Sequence, residues 1–335
     1  METTTMRKFL LVVGVVTLLT LAGCVDDLGL DDDTTHVEGT LEIHHIDVGQ
    51  ADSTLVITPD GETILIDTGD WRQDGSDVIE YLESQGVDRV NHLVGTHPHA
   101  DHIGGHAAVI EHFETEGAGI GAAYDSGVAH DSLTFDNYLD AIEAHDVTLY
   151  TVEEGDELPL AGDVSALVLN PPAGESGSDL HYNSVALVIQ FGEHRYVTTG
   201  DAEAAAEERL VGEWADELDA DVYQAGHHGS STSSTPTFLD ATDPDLVVIS
   251  SAFDSQYGHP HDEVLQEFAD RGTETYWTAV HGDVVIRSDG SDLAVETTQN
   301  GPTDGAALLE AKHGGEAQPS ITAVPIEGTS APAFG

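Results

Sequence analysis

The sequence contains very little of three things: cysteine, basic residues and long apolar runs. Cys24 is the single cysteine in 335 residues, which excludes a disulfide within the chain. The sequence has nine Lys and Arg residues and 63 Asp and Glu residues, and the formal net charge at pH 7 is −54. So few cations argue against a strongly basic groove for nucleic acid.

The acidic residues are spread along the whole chain rather than gathered in one tail. At low ionic strength this many like charges repel one another and destabilise a compact state. Molar salt shortens the Debye length to about 3 Å and removes most of that repulsion. We therefore interpret the composition as that of a halophilic protein, with an ordinary acidic secreted protein as the alternative.

The one extended apolar run, residues 9–22, follows the basic pair Arg7 and Lys8. It is shorter than the roughly 20 residues that a membrane-spanning helix needs, and it suits the core of a signal peptide. Leu-Ala-Gly-Cys at residues 21–24 resembles a lipoprotein cleavage box. Residues 1–24 are thus predicted to be a lipoprotein signal peptide, with an uncleaved anchor helix as the alternative. A lipid on Cys24 would hold the protein at the extracellular face of the cell membrane.

Residues 25–40 are predicted to be an acidic tether, residues 41–297 the folded domain, and residues 298–335 a disordered tail rich in Gly, Pro, Ala, Ser and Thr. Apolar periodicity predicts strands at residues 41–48, 53–58, 63–66, 92–95, 164–169, 185–191, 194–198, 221–224, 246–249 and 284–287. Helices are predicted at residues 77–85, 103–113, 133–145, 202–214 and 264–270. Two packed sheets with helices outside accommodate this order.

The segment His-Pro-His-Ala-Asp-His, residues 97–102, lies between a predicted strand and a predicted helix. Imidazole and carboxylate groups are zinc ligands, and a catalytic zinc keeps one position for water. In an extended chain His97 and His99 point the same way and can bind one ion. Asp101 and His102 follow as the chain turns, and they can bind a second ion.

Four further polar clusters follow other predicted strands. They are Asp67-Thr68-Gly69, Thr199-Gly200-Asp201, Gly226-His227-His228-Gly229-Ser230 and Gly258-His259-Pro260-His261. A sheet scaffold that presents a functional site on its loops is expected to bring such clusters to a common edge.

Together, His-x-His-x-Asp-His and Thr-Gly-Asp resemble the metallo-β-lactamase superfamily. Asp-Val-Gly-Gln-Ala-Asp-Ser at residues 47–53, His-His-Gly-Ser and Gly-His-Pro resemble one branch of it. That branch includes the extracellular domain of DNA-internalisation competence proteins and is similar to phosphorylcholine esterases. The resemblance covers residues 41–290 and implies an α/β fold, the αββα sandwich of two mixed β-sheets with helices outside.

The resemblance also implies two divalent metal ions, zinc or alternatively manganese. The implied ligands are His97, His99 and His227 for the first ion, Asp101, His102 and His259 for the second, and Asp201 as the bridge. His228 can replace His227 in this set. His181 is a third candidate for that position, although we interpret it as a surface residue at the start of a strand.

Other residues are assigned supporting roles. Asp101 and Asp201 would hold the attacking water, while His228, Ser230 or Ser231 would donate to a phosphate oxygen or a leaving group. Asp67 is expected to orient a ligating histidine. The expected bystanders are His106, His112 and His261.

The function predicted from this resemblance is extracellular hydrolysis by a hydroxide bound to two metal ions. The substrate is expected to be a phosphodiester, as in a phosphodiesterase or nuclease. The alternative is a lactone, thioester or β-lactam, and a third hypothesis is a metal-binding lipoprotein without activity. Ala51 and Gln224 depart from the competence branch, which has Gly and Lys at these positions. The Gln weakens the case for a gripped phosphate backbone, so nucleic acid remains one candidate partner beside small substrates and the membrane.

Overall fold

The structure is a computed structural model, and it describes residues 37–174 and 176–314. The predicted signal peptide, the lipid on Cys24 and most of the predicted tether lie outside the described residues. Within them, no helix is both long enough and apolar enough to cross a membrane.

The strands, in chain order, are β1 Leu41–His45, β2 Thr54–Ile57, β3 Thr63–Ile66, β4 Val90–Val94, β5 Ile120–Asp125, β6 Leu149–Thr151, β7 Val164–Asn170, β8 Ala186–Phe191, β9 His194–Thr198, β10 Val222–Gln224, β11 Leu246–Ile249, β12 Glu274–Trp277, β13 Val284–Ser288 and β14 Leu293–Thr297. They form an eight-stranded sheet in the order β14-β13-β1-β2-β3-β4-β5-β6 and a six-stranded sheet in the order β12-β11-β10-β9-β8-β7. Both sheets are mixed. The strands from β3 to β6 are parallel, and so are those from β9 to β12.

The helices are α1 Ser76–Ser84, α2 His106–Thr115, α3 Leu133–His145, α4 Ala204–Leu218, α5 Pro236–Thr242, α6 Asp262–Arg271, α7 Thr278–His281 and α8 Gly305–Gly314. Helices α1 to α3 share a buried cluster with the outer face of the first sheet, and α4 to α8 share one with the outer face of the second. A third cluster fills the space between the two sheets. The predicted αββα sandwich is confirmed.

Period-two alternation builds these layers. In β3, Ile64 and Ile66 enter the core between the sheets, while Leu65 enters the core beneath α1 and α2. Because successive side chains of a strand point to opposite faces, a strand covered on both sides is apolar throughout. The uninterrupted Thr-Ile-Leu-Ile of β3 has this pattern, and all four residues are buried.

A polar group lies between the sheets, among these apolar residues. Gln224 Oε1 accepts hydrogen bonds from the hydroxyls of Thr54 (3.2 Å) and Tyr196 (2.7 Å). His45 Nδ1 lies 3.3 Å from Thr54 Oγ1, and the His45 side chain is only 1% exposed. Thr198 Oγ1 also lies 3.2 Å from Gln224 Oε1. When Thr54 gives its single proton to Gln224, His45 Nδ1–H is the donor to Thr54. Burial lowers the pKa of His45 to about 3.

The periodicity missed several elements, namely β5, β6, β12, β14, α5, α7 and α8. Helix α8 lies in the segment predicted to be disordered, and that prediction is wrong for Gly305–Gly314. Leu308 of α8 is fully buried in the cluster that also contains Leu265 and Phe268 of α6. The run Ala-Ala-Leu-Leu-Glu-Ala-Lys consists of strong helix formers, a signal that the overall composition of the tail concealed.

Candidate metal centre

The carboxyl ends of parallel strands from both sheets meet at one edge of the sandwich. Asp67 follows β3, the His97–His102 segment follows β4, and Asp201 follows β9. His227 and His228 follow β10 in a short 3-10 turn. Open α/β sheets place their ligand sites beyond these strand ends, and the five predicted clusters converge as expected.

The first group of side chains consists of His97, His99, His181 and Asp201. One nitrogen or oxygen atom of each lies within 4.8 Å of one such atom of every other. His97 Nε2 is 2.7 Å from His99 Nδ1 and 3.6 Å from Asp201 Oδ2. Burial, followed by the neighbouring imidazoles of His102 and His181, lowers the pKa of His99 to about 4. A neutral imidazole is the form that binds a metal ion.

The second group consists of Asp52, His102, Asp201 and His228, again with ligand atoms within 4.8 Å of one another. His102 Nε2 is 3.1 Å and His228 Nε2 is 3.9 Å from Asp201 Oδ1. Asp101 approaches from the same side, with Oδ2 3.6 Å from His228 Nε2.

Several atoms of this second group are buried without a hydrogen-bond partner among the described residues. They are Oδ1 of Asp52 and three atoms that converge, namely Nε2 of His102, Nε2 of His228 and Oδ1 of Asp201. Buried polar atoms are almost always paired, so three converging unpaired atoms need an explanation. A divalent cation binds nitrogen and carboxylate oxygen, and it would satisfy all three. The residues present therefore fit a metal ion.

The far sides of the two imidazoles are held by acceptors. His102 Nδ1 lies 2.6 Å from Asp67 Oδ2, and His228 Nδ1 lies 3.0 Å from the Ser250 carbonyl. Each Nδ1–H therefore donates outward, and each Nε2 atom is directed into the site, as in metal-binding histidines. Asp67 also accepts from Thr96 N at 2.8 Å and has a positive φ of 58°. Its predicted contact with a site histidine is present, and its orienting role stays a prediction.

The charges of the second group complement one another. Burial opposes protonation of His228, but Asp52 and Asp201 outweigh it and raise the pKa to about 9. Burial likewise opposes ionisation of Asp201, yet the surrounding imidazoles hold its pKa well below the usual value. A cation bound here would displace protons from the imidazoles, so metal binding is expected to depend on pH.

His227 and His228 have φ angles of 52° and 57°, an unusual pair of left-handed residues. This turn carries His228 into the second group and directs His227 toward His181 and Glu203, with which it forms a third cluster. His227 Nε2 still lies 3.4 Å from Asp201 Oδ2. His259 is at the rim, its ring centroid 5.6 Å from that of His227.

The structure thus brings together His97, His99, Asp101, His102 and Asp201, as the sequence predicts. It differs at the remaining positions. His181, interpreted from the sequence as a surface residue, is partly exposed and also belongs to the first group. His228 joins the second group. Neither Asp101 nor His259 is in a compact group found among the described residues, but Asp101 Oδ2 lies 3.6 Å from His228 Nε2.

Asp52 was not singled out from the sequence, although it lies in the Asp-Val-Gly-Gln-Ala-Asp-Ser segment. It is buried, and burial raises its pKa to about 6. Its Oδ2 lies 3.6 Å from His228 Nδ1 and 4.0 Å from His102 Nδ1. Asp52 therefore stands behind the two rings, whereas Asp101 faces the Nε2 atom of His228.

The other named residues lie around the site. Ser230 Oγ is hydrogen-bonded to Thr232 Oγ1 at 3.0 Å, and Ser231 N donates to His261 Nδ1 at 2.8 Å. Two expected bystanders lie outside the metal-binding groups. His106 is buried and hydrogen-bonded to Thr68, and His112 lies beside the Glu83 carboxylate.

A sequence model described as the Metallo-beta-lactamase superfamily matches residues 46–252. ComE operon protein 3 of Bacillus subtilis is 30% identical over 241 residues, which are 67% of this chain and 30% of that protein. Competence protein ComA of Neisseria gonorrhoeae is 28% identical over 236 residues, 70% of this chain and 30% of that protein. The chain spans about 30% of the length of these relatives. Among solved structures, CmlA, a diiron β-hydroxylase from Streptomyces venezuelae, has a TM-score of 0.48 at 16% identity, covering 75% of this chain and 54% of that one.

Proposed function

The chain belongs to the metallo-β-lactamase superfamily and is a metal-dependent hydrolase, and we propose that its substrates are phosphodiesters. The observation that carries this proposal is the pair of histidine and aspartate groups that share Asp201. Two ions held by these adjoining groups would suit an in-line displacement at phosphorus, in which attacking and leaving oxygens both need stabilisation.

The proposed ligands of the first ion are His97, His99 and His181, those of the second are Asp101, His102 and His228, and Asp201 lies between them. His181 replaces the expected His227 because it lies within the compact group with His97 and His99. His228 replaces the expected His259 because its Nε2 atom has no hydrogen-bond partner in the described part of the chain and faces Asp101 and Asp201. Zinc is the proposed metal, with manganese as the alternative.

When bound, two such ions supply a water of lowered pKa and neutralise charge on the phosphate oxygens. The protein contributes the positions of the other groups. Asp101 and Asp201 can accept hydrogen bonds from the attacking water. His227 and His259 stand at the rim with their rings 5.6 Å apart and can donate to phosphate oxygens or to the leaving group. Burial is the main cause of the low pKa of His259, which is about 4. This ring would therefore donate as a neutral imidazole.

Two of the relatives belong to the competence branch that the sequence resembles. This relationship favours phosphodiesters over carboxylic derivatives as the substrates. The whole activity of those longer proteins is not transferred to this chain, which spans about 30% of them. We place the domain outside the cell, anchored by a lipid on Cys24 and working at high salt. This location is supported by the apolar run before Cys24 and by the net charge of −54.

The test uses the purified full chain in molar potassium chloride. Elemental analysis should find two ions per chain, and bis-p-nitrophenyl phosphate should be hydrolysed until a chelator is added. His99→Ala should lose this activity, whereas the matched variant His112→Ala should keep it, since His112 lies outside the metal centre beside Glu83. Hydrolysis of a lactone, thioester or β-lactam without any phosphodiesterase activity would replace this proposal by its alternative.

A further inference from the structure

A cavity of about 260 Å³ opens directly beside the metal centre and has Asp101 in its wall. Two large aromatic side chains line it, Trp71 and Tyr257, with exposures of 53% and 58%. They are two of the four most exposed large apolar side chains among the described residues. Aromatic rings left open to water in a concave site are typical of ligand-binding surfaces.

Trp71 is fixed to the metal-binding segment rather than carried on a loose loop. Its backbone N–H donates to the Ala100 carbonyl at 3.0 Å, and Gly104 N–H donates to the Gly69 carbonyl at 3.0 Å. A Cβ atom at Gly104 would collide with the Trp71 backbone nitrogen, so the glycine permits this close approach. The Tyr257 ring centroid, also in the lining, lies 5.7 Å from that of His259. Both aromatic residues are thus positioned against residues of the site.

The uncharged polar groups of this cavity include three carboxamides, those of Gln50, Gln73 and Gln256. Gln50 is engaged, because its Oε1 accepts from Ala252 N at 3.3 Å. Gln73 Oε1, in contrast, is buried and lacks a hydrogen-bond partner within the described part of the chain. A buried acceptor without a partner is costly unless a ligand supplies a donor. Carboxamides pair with the donor and acceptor edges of nucleobases.

The lining contains two carboxylates, Asp70 and Asp101, and one cation, Arg72, so a cationic ligand is disfavoured only at the indole face that Arg72 covers. Arg72 is the one Lys or Arg among the residues given for its lining, and its guanidinium lies 4.9 Å from the Trp71 ring centroid. Asp70 holds it there through a 2.9 Å contact with Arg72 Nη1. Because this cation already occupies a face of the indole, a quaternary ammonium group would meet a like charge.

We propose that Trp71, Tyr257 and Gln73 form a nucleobase subsite, which stacks an unpaired base of the substrate beside the phosphodiester at the metal centre. The proposal rests on the phosphodiesterase function and narrows its substrates to nucleotide diesters and single strands. Stacking on an aromatic ring tolerates any base and needs no cation. It therefore suits a chain with only nine basic residues, in salt that weakens phosphate contacts.

The kinetic test compares three p-nitrophenyl phosphodiesters with one leaving group, whose second substituent is 5′-thymidyl, methyl or choline. We expect kcat/KM to be highest for the thymidyl ester. Trp71→Ala and Tyr257→Ala should each lower that value by about 5-fold or more and leave the methyl ester nearly unchanged. Trp71→Phe should retain most of the preference. Tyr150→Ala is the matched control, because Tyr150 is 52% exposed but lines a different cavity.

A binding test separates this proposal from the proposed function. Chelator-treated full chain is titrated with a thymidine tetranucleotide, and tryptophan fluorescence is followed, since Trp277 is buried and Trp214 only partly exposed. Quenching that Trp71→Phe abolishes and Tyr257→Ala weakens would support the subsite even if no phosphodiester were cleaved. An absence of binding, or equal kcat/KM for the thymidyl and methyl esters, would overturn it. A preference for the choline ester that depends on Trp71 would overturn it in favour of a cation-binding pocket.

Discussion

Replacing His45 by glutamine is expected to make the folded protein less sensitive to acid. His45 is buried between the sheets, its Nδ1–H donates to Thr54, and its Nε2 has no partner among the described residues. Protonation would add a second N–H with nothing to accept it, and burial lowers the pKa from 6.5 to about 3. Between these values the unfolded chain binds more protons than the folded one. The free energy of unfolding is therefore unaffected by His45 well above pH 6.5, and it decreases as the pH falls below that value.

The size of this effect follows from the two pKa values. At about pH 5.5, one unit below the unfolded pKa, the cost of keeping His45 neutral is about 1.4 kcal/mol, and at about pH 8 it is near zero. Any folded pKa below about 4.5 gives the same difference in the free energy of unfolding to within about 0.2 kcal/mol.

The assay is urea unfolding in molar potassium chloride, with chelator present so that metal release does not contribute. The free energy of unfolding is measured at the two pH values for the wild type, His45→Gln and the control His112→Gln. Glutamine can donate to the Thr54 hydroxyl but does not titrate, so His45→Gln should lose about 1.4 kcal/mol less than the wild type on acidification. Equal losses in the wild type and His45→Gln would refute the reasoning, because His45 would then be charged or hydrated in the folded state.

Three further outcomes are expected. Gly104→Ala should destabilise the fold by about 2 kcal/mol and lower the bound metal per chain, because its Cβ would displace the Trp71 backbone; two ions per chain at normal stability would contradict this. Lys312→Met should lower the free energy of unfolding by about 1–2 kcal/mol, since the ammonium donates to the carbonyls on both sides of His259; an unchanged urea midpoint would count against this contact. His181→Ala should bind one ion and its control His227→Ala two, as measured by elemental analysis, and the reverse result would restore His227 as the ligand.

Ligands adjacent in the sequence were predictable because local geometry decides where they point. His97, His99, Asp101 and His102 lie on one short segment after a buried strand, and the structure keeps them together. The strand ends that carry Asp67 and Asp201 were also predictable, since short apolar runs precede both. These features rest on period two and on the edge that parallel strands share.

The remaining ligands depend on backbone conformations that the sequence pattern does not reveal. His227 and His228 both adopt left-handed φ angles, so the alternation of an extended chain does not decide which ring enters the site. His181 comes from the loop between β7 and β8, whose path over the site is set by tertiary packing. Strand β5, Ile-Gly-Ala-Ala-Tyr-Asp, was missed because its small residues have weak strand propensity and are placed by their neighbours.

The metal centre lies on the seam of the sandwich. His97 and His102 follow a strand of the first sheet, while Asp201 and His228 follow strands of the second. Ions bound there would act as cross-links between the two sheets. Their sites would form only after the two sheets have packed together. Ligation of the native state alone adds about 2.7 kcal/mol when free metal is a hundredfold above its dissociation constant. A chain starved of metal should therefore loosen first at the loops of this edge, while the apolar cluster between the two sheets stays packed.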